Sequence, residues 1–259
     1  MEDMIQWLHD APLWQTTLVL LAENVLILIL ALVLGQWAVR RFEARRVALP
    51  ALPLQRLEVL VTISTVLGNT VTTLLGMFLW RAGIITFRTD VGVWAWLDVL
   101  VLLLIMDFAM YVLHRLAHHP WLFAIMHQLH HRYDRPRPLT LFILNPVENL
   151  SFGMLWLVVI IVYPASWLGM SVYLVLNVLF GTVGHLGVEP LPGWWAHTPI
   201  LRYVAGSTFH ARHHQDLECN FGFYTLIWDR LFGTLRKDYF TTMGELPTWV
   251  AAESKTVPS

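Results

Sequence analysis

The chain has 259 residues, of which 56% are hydrophobic and 14% charged, against roughly 25% charged in an average soluble domain. Lys and Arg total 17 and Asp and Glu 18, so no positive excess points to a nucleic-acid backbone. Cys219 is the single cysteine, which excludes an intramolecular disulfide framework and a built-in thiolate-held iron–sulfur cluster; it reads as a small packed residue.

A helix needs about 20 apolar residues to cross a bilayer. The acidic start (Glu2, Asp3, Asp10) lacks the basic stretch of a cleavable signal peptide, and none is expected. Residues 17–39 form the first apolar stretch, broken only by Glu23 and Asn24. Residues 59–80 form the second, without a charge, and residues 91–113 the third, with Asp98 and Asp107 inside it. Residues 147–180 are long enough for two helices. Pro164-Ala-Ser166 turns the chain between them, because proline breaks the helical ladder and Ser166 can cap the next helix. Both halves are short, which predicts a tilted or partly inserted hairpin. The fold class expected is all-α, an integral membrane protein with about four hydrophobic helices.

Basic residues mark the cytoplasmic side of a membrane protein. Arg40, Arg41, Arg45, Arg46 and Arg56 separate the first two stretches, and Arg81 and Arg88 separate the second and third. Every other Lys or Arg follows the third. With the N-terminus outside, fifteen of the seventeen basic residues are cytoplasmic, and so are the histidine clusters described next.

Nine of the twelve histidines fall in three clusters: His114-Arg-Leu-Ala-His118-His119, His127-Gln-Leu-His130-His131 and His210-Ala-Arg-His213-His214. Neutral imidazole is the commonest metal ligand, so a metal centre is the chemistry this clustering serves. His114 and His118 share one helical face, which extends back through Tyr111 to Asp107. An aspartate inside a span needs a partner; Asp107 either orients a histidine or bonds Tyr111 or another helix. Adjacent histidines on a helix diverge by about 100°, so a His-His pair can address two different ions. Nine nitrogens are too many for one ion and suit two with four or five each. His185, in Gly184-His185-Leu186-Gly187 at the end of the last apolar helix, reads as a further ligand. His9 and His197 read as surface residues, and His119, off the His114 face and before Pro120, as a non-ligand. Spacing alone leaves iron, copper and zinc open.

The stretch from Asp107 to Thr234 resembles the fatty acid hydroxylase/sterol desaturase superfamily of integral membrane di-iron oxidoreductases. The resemblance rests on the three clusters in order, with Asn145-Pro-Val-Glu148, His185, Asn220-Phe-Gly222 and the closing Trp228-Asp-Arg-Leu-Phe-Gly-Thr234. It implies metal ligands at His114, His118, His127, His130, His131, His185, His210, His213 and His214. It also implies a cytoplasmic helical cap that carries them. Asp107, Tyr111, Glu148 and Asp229 are candidates for holding those ligands in place. The organisation expected is one membrane domain: residues 1–106 as N-terminal spans, 107–234 as the catalytic region and 235–259 as a tail, with no fused haem-binding donor domain.

The resemblance further implies two iron ions, with dioxygen as co-substrate; zinc can stand in for labile iron in purified protein. It implies a lipid substrate (fatty acyl, sterol-like or other) that is hydroxylated or desaturated. A separate electron donor, a ferredoxin or cytochrome with its reductase, completes the set; nucleic acid does not belong to it. The membrane would be a bacterial inner membrane or the endoplasmic reticulum. Arg132, Arg135 and Arg137 either meet lipid phosphates or an acidic donor, or form a solvated basic loop. A histidine-rich metal transporter would spread its histidines through the spans, and a zinc hydrolase would show His-Glu-x-x-His; neither pattern is present.

Overall fold

The computed structural model describes residues 2–246; residues 247–259 of the expected tail lie outside the described residues. Every regular element among them is helical, and the pairings of extended backbone are isolated bridges. A short helix α1 (Glu2–Asp10) leads into α2 (Leu13–Arg41), α3 (Arg56–Arg81) and α4 (Val93–Ala117). After two short helices, α5 (Pro120–Met126) and α6 (Gln128–His131), come α7 (Pro146–Val162) and α8 (Trp167–Gly184). Helices α9 (Ser207–Gln215) and α10 (Ile227–Leu231) end the described order. Helices α2, α3, α4 and α8 are long and apolar enough to cross a membrane, and α7 is apolar but shorter. The chain is a multi-pass helical membrane protein of the class expected.

Water-free surroundings force backbone groups to bond internally, which a helix does alone. Side-chain apolarity then faces lipid, and helices associate through close approach of small residues. The α3–α7 seam shows this. Gly68, Thr72 and Gly76 step by four along α3, opposite Asn149, Gly153 and Leu157 stepping by four along α7. A Cβ on Gly153 would lie 2.7 Å from the Thr72 side chain, and one on Gly68 would overlap the Asn149 amide. The Asn149 amide donates to the Thr65 carbonyl at 3.1 Å.

The α7–α8 hairpin turns where expected, with Ser166 accepting from the Gly169 amide at 3.0 Å. Asp98, near the start of α4, pins that turn. It accepts from the Ser166 amide (2.7 Å), the Tyr163 hydroxyl (2.7 Å) and Arg88 (2.8 Å). The other end of α7 starts beside the histidines, through Glu148. The hairpin therefore runs the distance from Asp98 to the metal-ligand candidates. Its 17-residue first arm is about 26 Å long, just under the roughly 30 Å apolar thickness of a bilayer.

Helices α2, α3 and α4 alternate in direction, so the end of α2, the start of α3 and the end of α4 meet at one end of the bundle. The α2–α3 connection packs there against the histidine region. The Val47 amide donates to the Gly187 carbonyl at 3.1 Å, and Val47 and Ala48 are buried against Ala211 of α9. Arg40, Arg41, Arg45, Arg46 and Arg56 thus share an end with the histidines, while Arg81 and Arg88 lie at the other.

Candidate metal centre

Four pieces of chain deliver the histidines. The end of α4 gives His114 and His118, the α5–α6 corner His127, His130 and His131, the end of α8 His185, and α9 His210, His213 and His214. They sort into two groups: His114, His118, His127, His131 and His213 in one, His130, His185, His210 and His214 in the other. Within each group, one nitrogen per ring lies within 4.8 Å of all the rest. Both doubled pairs divide: His130 and His131 go to different groups, as do His213 and His214. His119 is exposed and caps α5, accepting from the Trp121 amide, while His9 and His197 are exposed elsewhere.

The tautomers follow from the outer contacts. A carbonyl or carboxylate only accepts, so a ring nitrogen that meets one carries the proton. His114 Nδ1 donates to the Phe221 carbonyl at 2.8 Å, His185 Nδ1 to Gly181 at 2.7 Å and His213 Nδ1 to Cys219 at 2.7 Å. His130 Nδ1 donates to Ile143 at 3.2 Å and His127 Nδ1 to Glu148 Oε1 at 2.5 Å. Each of these rings then aims an Nε2 lone pair inward. His114 and His127 Nε2 stand 2.9 Å apart, His131 and His213 3.0 Å, His185 and His210 3.0 Å, His130 and His185 3.3 Å. Where both rings are anchored, in the His114–His127 and His130–His185 pairs, the facing lone pairs repel and make no hydrogen bond. Nitrogens at right angles about a cation at about 2.1 Å lie about 3.0 Å apart, so the spacing fits a shared ion in each group. The donor set is all imidazole, suited to iron, copper or zinc.

Burial keeps these rings neutral. It pushes His118 down to about 3 and His185 to about 4, and lowers His127, His130, His131, His210, His213 and His214 from the ordinary 6.5. The unfolded chain takes up protons below about pH 6.5 while the folded protein does not, so acidity favours unfolding. The metal-free protein is expected to lose thermal stability steadily as pH falls from about 6.5 to about 4. A melting temperature independent of pH across that window contradicts it.

The four supporting candidates separate. Glu148 touches the histidines directly, through His127. Asp229 acts at one remove: it accepts from the Phe221 and Gly222 amides, both at 2.7 Å, and so fixes the peptide whose carbonyl holds His114. Tyr111 bonds Thr234 at 3.1 Å, and Thr234 donates to Asp229 at 2.7 Å. Asp107 bonds no histidine and not Tyr111. It accepts from the Tyr224 and Thr225 amides (2.9 and 3.1 Å), the Thr225 hydroxyl (2.5 Å) and Trp228 Nε1 (3.0 Å). Its geometry anchors the segment after α9 to α4, because that segment alone offers four donors to a carboxylate buried in an apolar helix.

Some supports carry no sequence signature. The carbonyls of Phe221, Cys219, Ile143 and Gly181 act through the backbone. Cys219 is packed, and burial pushes its thiol up to about 12, away from metal-binding thiolate. Glu189 stands as an acid among apolar neighbours just after His185. Fully buried, it accepts from the Thr208 amide at 2.7 Å and hydroxyl at 2.6 Å, capping the helix of the third cluster. Gly222 is needed for closeness: a Cβ there would sit 2.5 Å from the Thr225 carbonyl and 2.8 Å from Asp229. Gly222→Ala is expected to lower metal content and melting temperature, whereas Gly193→Ala, with open space around it, leaves both unchanged. Equal behaviour of the two variants removes that role.

A polytopic helical bundle with nine clustered imidazoles at one end defines a histidine-rich membrane protein class. The family model "Fatty acid hydroxylase" matches residues 99–234, and the chain belongs to that family. It is 28% identical to a Delta(7)-sterol 5(6)-desaturase of Leptosphaeria maculans, over 58% of this chain and 40% of the relative. It is 32% identical to a cholesterol 25-hydroxylase-like protein of Danio rerio, over 53% of this chain and 55% of the relative. It is 33% identical to the very-long-chain aldehyde decarbonylase GL1-1 of Oryza sativa subsp. indica, over 48% of this chain and 21% of the relative. The chain thus spans about half the length of these relatives, or less. No solved structure matches.

Proposed function

We propose that the protein is a di-iron, dioxygen-dependent oxidoreductase that hydroxylates or desaturates a C–H bond of a lipid. The observation that carries this reading is the convergence of nine inward-aimed imidazoles, as five and four, at the end of an apolar bundle. His114, His118, His127, His131 and His213 would hold one ion, and His130, His185, His210 and His214 the other. Iron changes oxidation state where zinc does not, so two irons would let dioxygen, with electrons from an external donor, oxidise an unactivated C–H bond.

The chain's own residues bind and orient. Glu148 and the four carbonyls keep protons on Nδ1, so every anchored ring offers Nε2. Asp229 holds the Phe221 peptide against His114. A small cavity of about 10 Å³ lies against His185 and His210, with Phe180, Phe209, Phe223 and Gly184 around it. It has room for about one molecule the size of water or dioxygen, and its lining mixes imidazole with phenyl rings.

The relatives' names speak of sterols and very-long-chain aldehydes, and they support a sterol-like, fatty acyl or other lipid substrate here. A ferredoxin or cytochrome with its reductase would deliver electrons. The basic residues favour a cytoplasmic histidine end and an outside N-terminus, in a bacterial inner membrane or the endoplasmic reticulum. Gathering of the histidines at one end disfavours a transport pathway through the spans. The test is comparative lipidomics of cells with and without the gene, with metal content and oxygen uptake measured on the purified protein. A lipid gaining one oxygen or losing two hydrogens, with iron and oxygen required, is expected. Lipid turnover that persists without dioxygen removes the oxidoreductase reading in favour of a zinc hydrolase.

A further inference from the structure

Behind the second histidine cluster, the chain closes a second cavity, of about 180 Å³, against the segment leading into α3. Arg132, Tyr133, Arg135 and Arg137 line one side, and Gln55 and Glu58 the other. Arg137 is committed, pairing with Glu58 and donating to the Leu52 carbonyl at 3.0 Å. Glu58 is itself buried and also accepts from the Gln55 amide at 2.7 Å, so its charge is spent. Arg132 and Arg135 make no ion pair among the described residues, and the buried Tyr133 hydroxyl has no hydrogen-bond partner. Asp134 also lines the cavity and is exposed, which leaves the balance positive.

Two free guanidinium groups and one unsatisfied O–H are donors without an acceptor. The complement is an anion with several acceptor oxygens, and arginine forks match the oxygens of a phosphate ester. The surroundings select its source. Leu52, in the cavity wall, and neighbouring Leu54 are exposed, as are Leu57 and Leu60 where α3 becomes apolar. That places an outward hydrocarbon surface next to the donors, at the end of a membrane-crossing helix. A soluble phosphate has no use for such a surface, whereas a lipid fills both parts.

We propose that this cavity binds the phosphate of an anionic membrane lipid, at a site separate from the two histidine groups. The site stands independently of the oxidoreductase reading. The full chain in phosphatidylcholine nanodiscs is titrated with short-chain fluorescent phosphatidate, and with short-chain fluorescent phosphatidylcholine as the neutral probe. Saturable phosphatidate binding is expected, weakened about tenfold or more by Arg132→Gln with Arg135→Gln. Tyr133→Phe, a change that keeps the ring, is expected to weaken it several-fold. Arg40→Gln with Arg41→Gln removes the same charge at the same end of the bundle and is expected to leave it unchanged. An equal loss in the two double variants overturns the proposal, since it signals diffuse attraction to the surface. Equal saturation by phosphatidylcholine overturns it too. Displacement by inorganic phosphate at the concentrations where phosphatidate saturates overturns the lipid as the source.

Discussion

His214→Ala is expected to empty one metal position and abolish lipid turnover, while His118→Ala retains a measurable part of both. The difference lies in the ligand count. Without His214, the smaller group keeps only His130, His185 and His210; without His118, the larger still has His114, His127, His131 and His213. His214 is also buried where His118 is half-buried, so its removal leaves a hole that side chains do not fill. Outer partners of metal ligands typically cost roughly 10–100-fold when removed. Loss of a ligand from a group of four should exceed that, reaching at least about a thousandfold in turnover. Metal per protein, measured by mass spectrometry of the digested sample beside turnover, separates the cases. Two variants that both keep full metal and full turnover would end the assignment of these rings as ligands.

The second large effect belongs to Glu148. Its carboxylate oxygen is 2.5 Å from His127 Nδ1, and both groups are buried. The contact orients the ring; burial pushes the Glu148 carboxyl well above the ordinary carboxylate range, and a cation at His127 Nε2 would draw off its proton, so that the charged carboxylate makes Nε2 a stronger donor. Glu148→Gln keeps an acceptor but loses the charge, and about a tenfold drop in metal affinity is expected. Glu148→Leu removes both, and about a hundredfold drop is expected, confined to the group of five. Chelator competition, followed by the metal retained, reads this directly. Native retention in the leucine variant would show that the contact merely fills space.

Much of this architecture was legible in the chain. Apolar length located α2, α3 and α4 to within a few residues, and Pro164 with Ser166 marked the α7–α8 turn. The doubled histidines pointed to two recipients, and His130/His131 and His213/His214 do part company. The rest depends on long-range folding. Asp107 was open to a histidine, to Tyr111 or to another helix; it takes the last, Trp228 of α10, together with Tyr224 and Thr225, more than a hundred residues on. The Phe221 and Cys219 carbonyls had no signature at all, since every residue owns one. Glu189 gave a faint one, an acid among apolar neighbours, whose meaning depended on where α9 begins.

Because α9 contributes to both groups, and the short α6 does so as well, neither group can be reshaped alone. An ion seated in one would stiffen the same two helices that frame the other, and the second ion would then meet rings already in place. Filling should therefore be cooperative, with singly loaded protein scarce during a metal titration.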